Sequence, residues 1–261
     1  MTTTVSTTCE QFPALPHIPG YTVLQALYTG SQTTVYRALH IDSQQQVVIK
    51  VLSNPYPSCH DLTVFRNQYT IAKSLPVAGI VQPIALEPWQ QGYALVVKDF
   101  GGLSLHQYIA DHQLSVQDVL GIALQMTDIL QGLGKHHVVH KDIKPANIMI
   151  HPESKRIQLI DFSIATLLPK ETQEIQSPSL LEGTLAYLAP EQTGRMNRGI
   201  DYRSDFYGLG VTLYKLLTGV LPFTETDPLE LVHCHIAKTP VAPHAVNAAI
   251  PKMVSQVVLK L

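Results

Sequence analysis

The stretch His140-Lys141-Asp142-Ile143-Lys144-Pro145-Ala146-Asn147, followed by Asp161-Phe162-Ser163, decides how this chain is read. It places an acid, a lysine, an amide and a second acid in the order that phosphoryl transfer from ATP requires. Asp142 can take the proton of an attacking hydroxyl. Lys144 can set a cation beside the transferring phosphoryl group. Asn147 and Asp161 can offer oxygen ligands to magnesium. A lone His-x-Asp would be equally at home in a buried loop of ordinary hydrogen-bonded polar residues. Its weight comes from being one of several motifs that occur in order.

Composition narrows the field. The chain has 261 residues, 45% hydrophobic and 15% charged, enough for one large domain or two lobes with real cores. A net charge of −2 without a basic block argues against a dedicated nucleic-acid role. No apolar run approaches the ~18 residues of a membrane span. Residues 1–8 are Thr-rich and lack the basic and apolar regions of a signal peptide. Three scattered cysteines (Cys9, Cys59, Cys234) suit a reducing cytoplasm and make neither a disulfide framework nor a zinc spacing. His233-Cys234-His235 looks metal-like, but residues at i and i+2 of a helix point apart and a ligand quartet is missing, so it reads as structural.

The chain divides into a short tail, a β-rich part and a helical part. Residues 1–17 are polar and Pro-rich. Apolar alternation predicts strands over 21–28, 34–39, 46–52, 80–86 and 93–97, with one helix over 60–75 closed by Pro76. Gly101-Gly102 marks a break. Ser115-Val116-Gln117-Asp118 is a capping box. It opens a long helix whose buried stripe is expected at Val116, Val119, Leu120, Ala123, Met126, Leu130 and Leu133. Further helices are expected over 202–217, stopped by Gly219, from Asp227-Pro228, and from Pro251 on to Leu261. The resulting class is α+β and bilobal: a small β-rich lobe over 18–97, a hinge at 98–102 and a helical lobe over 103–261.

These motifs resemble the catalytic loop and metal-binding motif of eukaryotic-type Ser/Thr protein kinases, with Lys141 where Arg is usual and Ser163 where Gly is usual. The resemblance covers residues ~18–261 and implies ATP and Mg²⁺ as cofactors and a Ser/Thr-containing protein as substrate. Tyr28-Thr29-Gly30-Ser31-Gln32-Thr33-Thr34-Val35 stands at the family's Gly-rich loop, where only Gly30 and Val35 match. Val47-Val48-Ile49-Lys50 resembles the strand whose lysine holds the phosphates, with Val48 above the adenine. The family pairs that lysine with a helix Glu; reading back without gaps from Ala78-Gly79-Ile80-Val81 puts Gln68 there, so the charge-assisted partner is absent. Val97-Lys98-Asp99-Phe100 corresponds to the hinge, with Val97 guarding the back pocket and Asp99 and Phe100 beside the adenine.

The resemblance extends beyond the catalytic loop. Gly183-Thr184-Leu185-Ala186-Tyr187-Leu188-Ala189-Pro190-Glu191 resembles the peptide-positioning loop, with Thr184 expected near Asp142 and Lys144. Thr172, Ser177 and Ser179 are candidate phosphosites. Lys141 in place of Arg implies weak phosphorylation-dependent switching, and Ser163 implies a restricted flip of its segment. Asp205 resembles the helix acid that braces the catalytic loop. Glu191 normally pairs with an Arg in a later helix; no Arg follows Arg203, which implies a costly unpartnered carboxylate and a truncated domain.

Pro190-Glu191-Gln192-Thr193-Gly194-Arg195-Met196-Asn197-Arg198, Asp201-Tyr202-Arg203-Ser204-Asp205, Asp161-Phe162-Ser163 and Ile18-Pro19-Gly20-Tyr21 resemble a narrower group. It comprises the N-terminal Ser/Thr-kinase domains of multi-domain bacterial sensor kinases, common in cyanobacteria. There the domain precedes ATPase-like, GAF and histidine kinase modules, which would be its partners. Two functional readings follow. Retained Lys50, Asp142, Lys144, Asn147 and Asp161 favour an active, cytoplasmic protein Ser/Thr kinase in signal transduction. Gln68 and the reduced Gly-rich loop favour a pseudokinase acting as a nucleotide-binding or protein-interaction module. A third reading is a fragment without a stable fold, which a cooperative melt would exclude.

Overall fold

A computed structural model describes residues 15–167, 185–195 and 199–261. By contacts the chain forms two compact units. One takes the described residues up to Ser58 together with Ala85–Asp99; the other takes Cys59–Ile84 and the described residues from Phe100 onward. The helix counted with the β-rich lobe from sequence order thus belongs, by its contacts, to the second unit.

The first unit is built on a five-stranded sheet of order β1-β2-β3-β5-β4. Its strands are β1 (Tyr21–Thr29), β2 (Thr33–His40), β3 (Gln46–Leu52), β4 (Pro83–Trp89) and β5 (Gly92–Lys98). Alternation sorts its two faces. Val47, Ile49, Val51, Ala94 and Val96 bury one face against Ile18, Tyr21 and Ala38. The other face is half-buried at Val35, Val48, Lys50 and Val97. Tyr21 donates its hydroxyl to Glu87 at 3.0 Å, and burial pushes its pKa up to about 12.

Helix α1 (Cys59–Ser74) ends before Pro76, as expected. The strand expected over 80–86 is displaced. Residues 80–82 leave the five-stranded sheet, and Ile80 bridges in parallel to Leu159 of the second unit. Leu159 N–H donates to the Gly79 carbonyl and Val81 N–H to the Leu159 carbonyl, both at 2.8 Å. Gly79, with φ of 81°, supplies the left-handed turn that redirects the chain, and β4 starts only at Pro83.

The second unit continues with β6 (Leu103–Ser104), α2 (Leu105–Asp111), α3 (Val116–Lys135), β7 (Val138–Val139), β8 (Ile148–Ile150), β9 (Ile157–Leu159) and β10 (Thr166–Leu167). It closes with α4 (Arg203–Thr218), α5 (Pro228–Ala237), α6 (Pro243–Val246) and α7 (Lys252–Val258). The capping box forms: Ser115 Oγ accepts the Asp118 N–H at 3.1 Å, and the Asp118 carboxylate accepts the Ser115 N–H at 3.0 Å. The stripe of α3 is rotated from the expected one. Val119, Ile122, Met126, Ile129, Leu130 and Leu133 are buried, whereas Leu120 is 41% exposed. A 3.6-residue repeat started at Val119 selects Ile122 and Ile129 and turns Leu120 away. Gly219, at φ 78°, caps α4, and Asp227 caps α5 through the Leu229 and Glu230 amides. Helix α7 stops at Val258 instead of running on to Leu261.

Candidate active site

Each unit carries its own share of the residues singled out from sequence. In the first, strand register does the work. Val35 pairs with Lys50 and Val48 with Val97. Cross-strand partners and residues two apart share a face. Val35, Val48, Lys50 and Val97 therefore form one patch on the half-buried side of the sheet. Gly30 lies in the β1–β2 turn, where its N–H donates to the Thr33 carbonyl at 3.0 Å and its carbonyl accepts the Ser53 hydroxyl at 2.9 Å. The Tyr28 ring folds over this glycine: a Cβ there would lie 2.4 Å from the Tyr28 hydroxyl. Asp99 has a partner that the sequence did not suggest, accepting a 2.6 Å hydrogen bond from Arg37 Nε in β2.

In the second unit, short strands and α4 assemble the catalytic loop. β7 leads into His140. β8 starts directly after Asn147 and pairs with β9, which runs into Asp161. The Ile160 N–H donates to the Asn147 carbonyl at 2.9 Å, so the hairpin sets Asn147 and Asp161 at adjacent strand ends. Asp205, 4% exposed near the start of α4, accepts the His140 N–H at 2.8 Å and the Lys141 N–H at 2.7 Å. Burial pushes the Asp205 carboxyl above the usual range, opposed by the His140 charge and those two amides. Gly208 permits the close approach of α4; a Cβ there would sit 3.0 Å from the Ile143 carbonyl oxygen.

His140 is fully buried and spans the loop. Its Nε2 faces the Ile160 carbonyl at 3.0 Å, its Nδ1 accepts the Asp142 N–H at 3.3 Å, and its ring meets Phe162 edge-on at 4.8 Å. Asp142 uses one carboxylate oxygen for structure. Oδ2 accepts from Asn147 Nδ2 at 2.7 Å and pairs with Lys144 Nζ at 2.8 Å. Oδ1 is buried with no hydrogen-bond partner among the described residues. Asn147 Nδ2 also donates to the Asp142 carbonyl at 2.9 Å. Both amide protons of Asn147 are then spent on Asp142, which leaves its Oδ1 as the atom available to a cation. Asp161 sits at φ 64°, a strained value for a non-glycine residue, and its Oδ1 accepts the Ser163 N–H at 3.3 Å. An amide oxygen and a carboxylate are hard donors of the kind Mg²⁺ takes, so these residues fit that ion.

The remaining residues take structural places. Gln68 is buried at 5% exposure on the face of α1 that carries Phe65, Ile71 and Ala72. The adjacent Asn67 reaches the Ala165 carbonyl at 3.4 Å and so ties α1 to the segment after Asp161. Phe100 stacks edge-on with His151. Glu191 does not lie unpartnered: Ser204 of α4 donates its hydroxyl to it at 2.6 Å, a serine doing what was expected of a distant arginine. Cys234 and His235 are buried core residues of α5; His235 shares a 2.6 Å hydrogen bond with the Tyr207 hydroxyl and packs edge-on to Phe223. Thr184, Thr172, Ser177 and Ser179 lie outside the described residues.

The arrangement defines a class. The chain matches the family model of the protein kinase domain over residues 21–261 and belongs to that family. It is 32% identical over 245 residues to the serine/threonine-protein kinase PrkC of Bacillus subtilis, which covers 92% of this chain and 37% of that protein. Over 144 residues it is 40% identical to the serine/threonine-protein kinase PksC of Streptomyces coelicolor, covering 53% of this chain and 25% of that protein. Over 138 residues it is 35% identical to the serine/threonine-protein kinase PknB of Mycobacterium tuberculosis, covering 52% and 22%. The aligned part is thus 37% or less of the length of each of these relatives.

Proposed function

We propose that this chain transfers the γ-phosphoryl group of ATP to Ser or Thr hydroxyls of a protein substrate. The observation that carries the reading is the asymmetry of the Asp142 carboxylate. Asn147 and Lys144 hold Oδ2, while Oδ1 is buried without a hydrogen-bond partner among the described residues. A substrate hydroxyl offered to Oδ1 gives up its proton as its oxygen attacks phosphorus, and the leaving β-phosphate takes the P–O bonding pair. Lys144, already beside Asp142, is placed to offset negative charge on the transferring group. Lys50, with Val35, Val48 and Val97 on its face of the sheet, supplies the nucleotide side. Asn147 Oδ1 and the Asp161 carboxylate would hold Mg²⁺, which neutralises phosphate charge when bound.

The reading extends to context. The quoted motifs around residues 18–21, 161–163, 190–198 and 201–205 support a kinase domain of a bacterial, cyanobacterial-type sensor kinase. Its partners would be ATPase-like, GAF and histidine kinase modules. No helix among the described residues is long and apolar enough to cross a membrane, which is compatible with a cytoplasmic place.

The test is autophosphorylation and generic-substrate phosphorylation with ATP and Mg²⁺, wild type against Asp142→Asn. Turnover is expected to fall by roughly 10²- to 10⁴-fold in the variant. Equal turnover in both proteins would refute Asp142 as the base. A thermal shift with ATP and Mg²⁺ but no turnover in either would instead support a nucleotide-binding pseudokinase.

A further inference from the structure

Gln192 is part of a motif that the catalytic reading leaves unused, and both ends of its side chain are committed. Its Oε1 accepts the Ala189 N–H at 3.1 Å, and its Nε2 donates to the Lys141 carbonyl at 2.9 Å. Only one amide orientation satisfies a donor at one end and an acceptor at the other, so the two partners set it.

The place of that carbonyl gives the contact its meaning. Lys141 has φ of 69°, a left-handed conformation that a non-glycine residue keeps only when its surroundings hold it. Asp205 Oδ1 holds its N–H at 2.7 Å, and Gln192 holds its carbonyl. The peptide unit between Lys141 and Asp142 is pinned at both edges, since its N–H goes to His140 Nδ1 at 3.3 Å. That unit immediately precedes Asp142. If it rotates, Oδ1 moves away from the position in which Asn147 and Lys144 hold the carboxylate.

The geometry points to Gln192 as a positioning residue for the Asp142 base, coupling the segment at Ala189 to the catalytic loop through the Lys141 carbonyl. This rests on the kinase reading of Asp142. The link runs through backbone groups and needs no phosphate, and it works with Lys at position 141 as well as with Arg. It ties the end of the segment that would position a peptide to the residue that accepts its proton.

Two substitutions and two readouts test it on the whole chain. Gln192→Leu removes both polar ends. Gln192→Glu keeps the acceptor for Ala189 and loses the donor to Lys141. Each should lower kcat by roughly tenfold to a hundredfold, as expected of a displaced catalytic group, with the KM for ATP unchanged. As the pH is lowered towards that of the introduced carboxyl, the acid regains an O–H donor. The ratio of Gln192→Glu activity to wild type should therefore rise, while the Gln192→Leu ratio stays flat. Loss of packing alone gives no such pH response.

Amide hydrogen exchange gives the second readout. Lys141 and Asp142 should exchange faster in both variants while α3 keeps its protection. Wild-type kcat in both variants, or unchanged exchange at Lys141 and Asp142, would overturn the proposal. If wild type and Asp142→Asn turn over alike, the kinase reading of Asp142 falls and the coupling to a base falls with it; exchange then separates a purely structural clamp from no clamp.

Discussion

The β1–β2 turn and the catalytic loop both surround atoms expected to meet phosphate, yet they are held in opposite ways. The turn relies on neighbours in its own sheet: the Gly30–Thr33 backbone bond and Ser53, whose hydroxyl reaches Gly30 and whose N–H reaches Gln32. Tyr28, Thr29, Ser31 and Gln32 around it are exposed, Tyr28 at 59%. The catalytic loop is held by the buried Asp205 of α4 and the half-buried Gln192 of the segment before it, both distant in sequence, and by its own buried His140, whose ring reaches the Ile160 carbonyl. Departures from the family pattern fall in both regions, Tyr28 and Thr33 in the turn and Lys141 in the loop, but only the loop's groups have buried long-range partners. A buried polar group that loses its partner costs far more than an exposed one, and this separates the two regions.

That contrast predicts a graded series. The largest effect belongs to Asp205→Asn, which replaces an acceptor of two buried N–H groups by an amide that also carries donors. Unfolding free energy should drop by about 3 kcal/mol, with turnover lost, as read from denaturant melts and a phosphorylation assay. A stability change below ~1 kcal/mol would mean that the loop holds itself and the contrast is wrong.

Next comes the buried His235. Burial lowers its pKa from the ordinary 6.5 to about 4, partly opposed by the Glu225 charge. The unfolded chain therefore binds a proton that the folded chain refuses. The stabilisation is full above pH 6.5 and is lost as the pH falls towards 4. Between pH 7 and pH 5 wild type should lose on the order of 2 kcal/mol more than His235→Phe, measured by paired melts. Parallel pH profiles for the two proteins would contradict this.

Ser204→Ala should cost about 1–2 kcal/mol by removing the hydroxyl from Glu191, a charge-assisted bond. Ser204→Thr, which restores a hydroxyl, should recover part of that loss. The smallest effect belongs to Gly30→Ala. The three atoms nearest its Cβ all belong to the exposed Tyr28 ring, which can swing aside, so melting should change by less than about 0.5 kcal/mol. A large loss there would place the turn with the catalytic loop as a tightly held region.

The sequence carried most of the local structure and the order of the chemistry. Strand alternation, the Ser115–Asp118 capping box, Gly219 and Asp227-Pro228 are signals spread over a few residues, and the elements form at or near them. The spacing from Asp142 to Asn147 and Asp161 was legible for the same reason: a short loop and one hairpin bring those groups together. Other features joined residues far apart in the chain. The rotation of the α3 stripe that exposes Leu120, the docking of Ile80 on Leu159, the Arg37–Asp99 pair, the Ser204 hydroxyl on Glu191 and the Gln192 amide on the Lys141 carbonyl were decided only by the tertiary structure. Periodicity specifies which residues want burial and which backbone groups a turn satisfies. It does not specify which distant donor meets which buried acceptor. That choice is made by packing, once the helices and strands have closed off water and each remaining polar group must find a partner within reach.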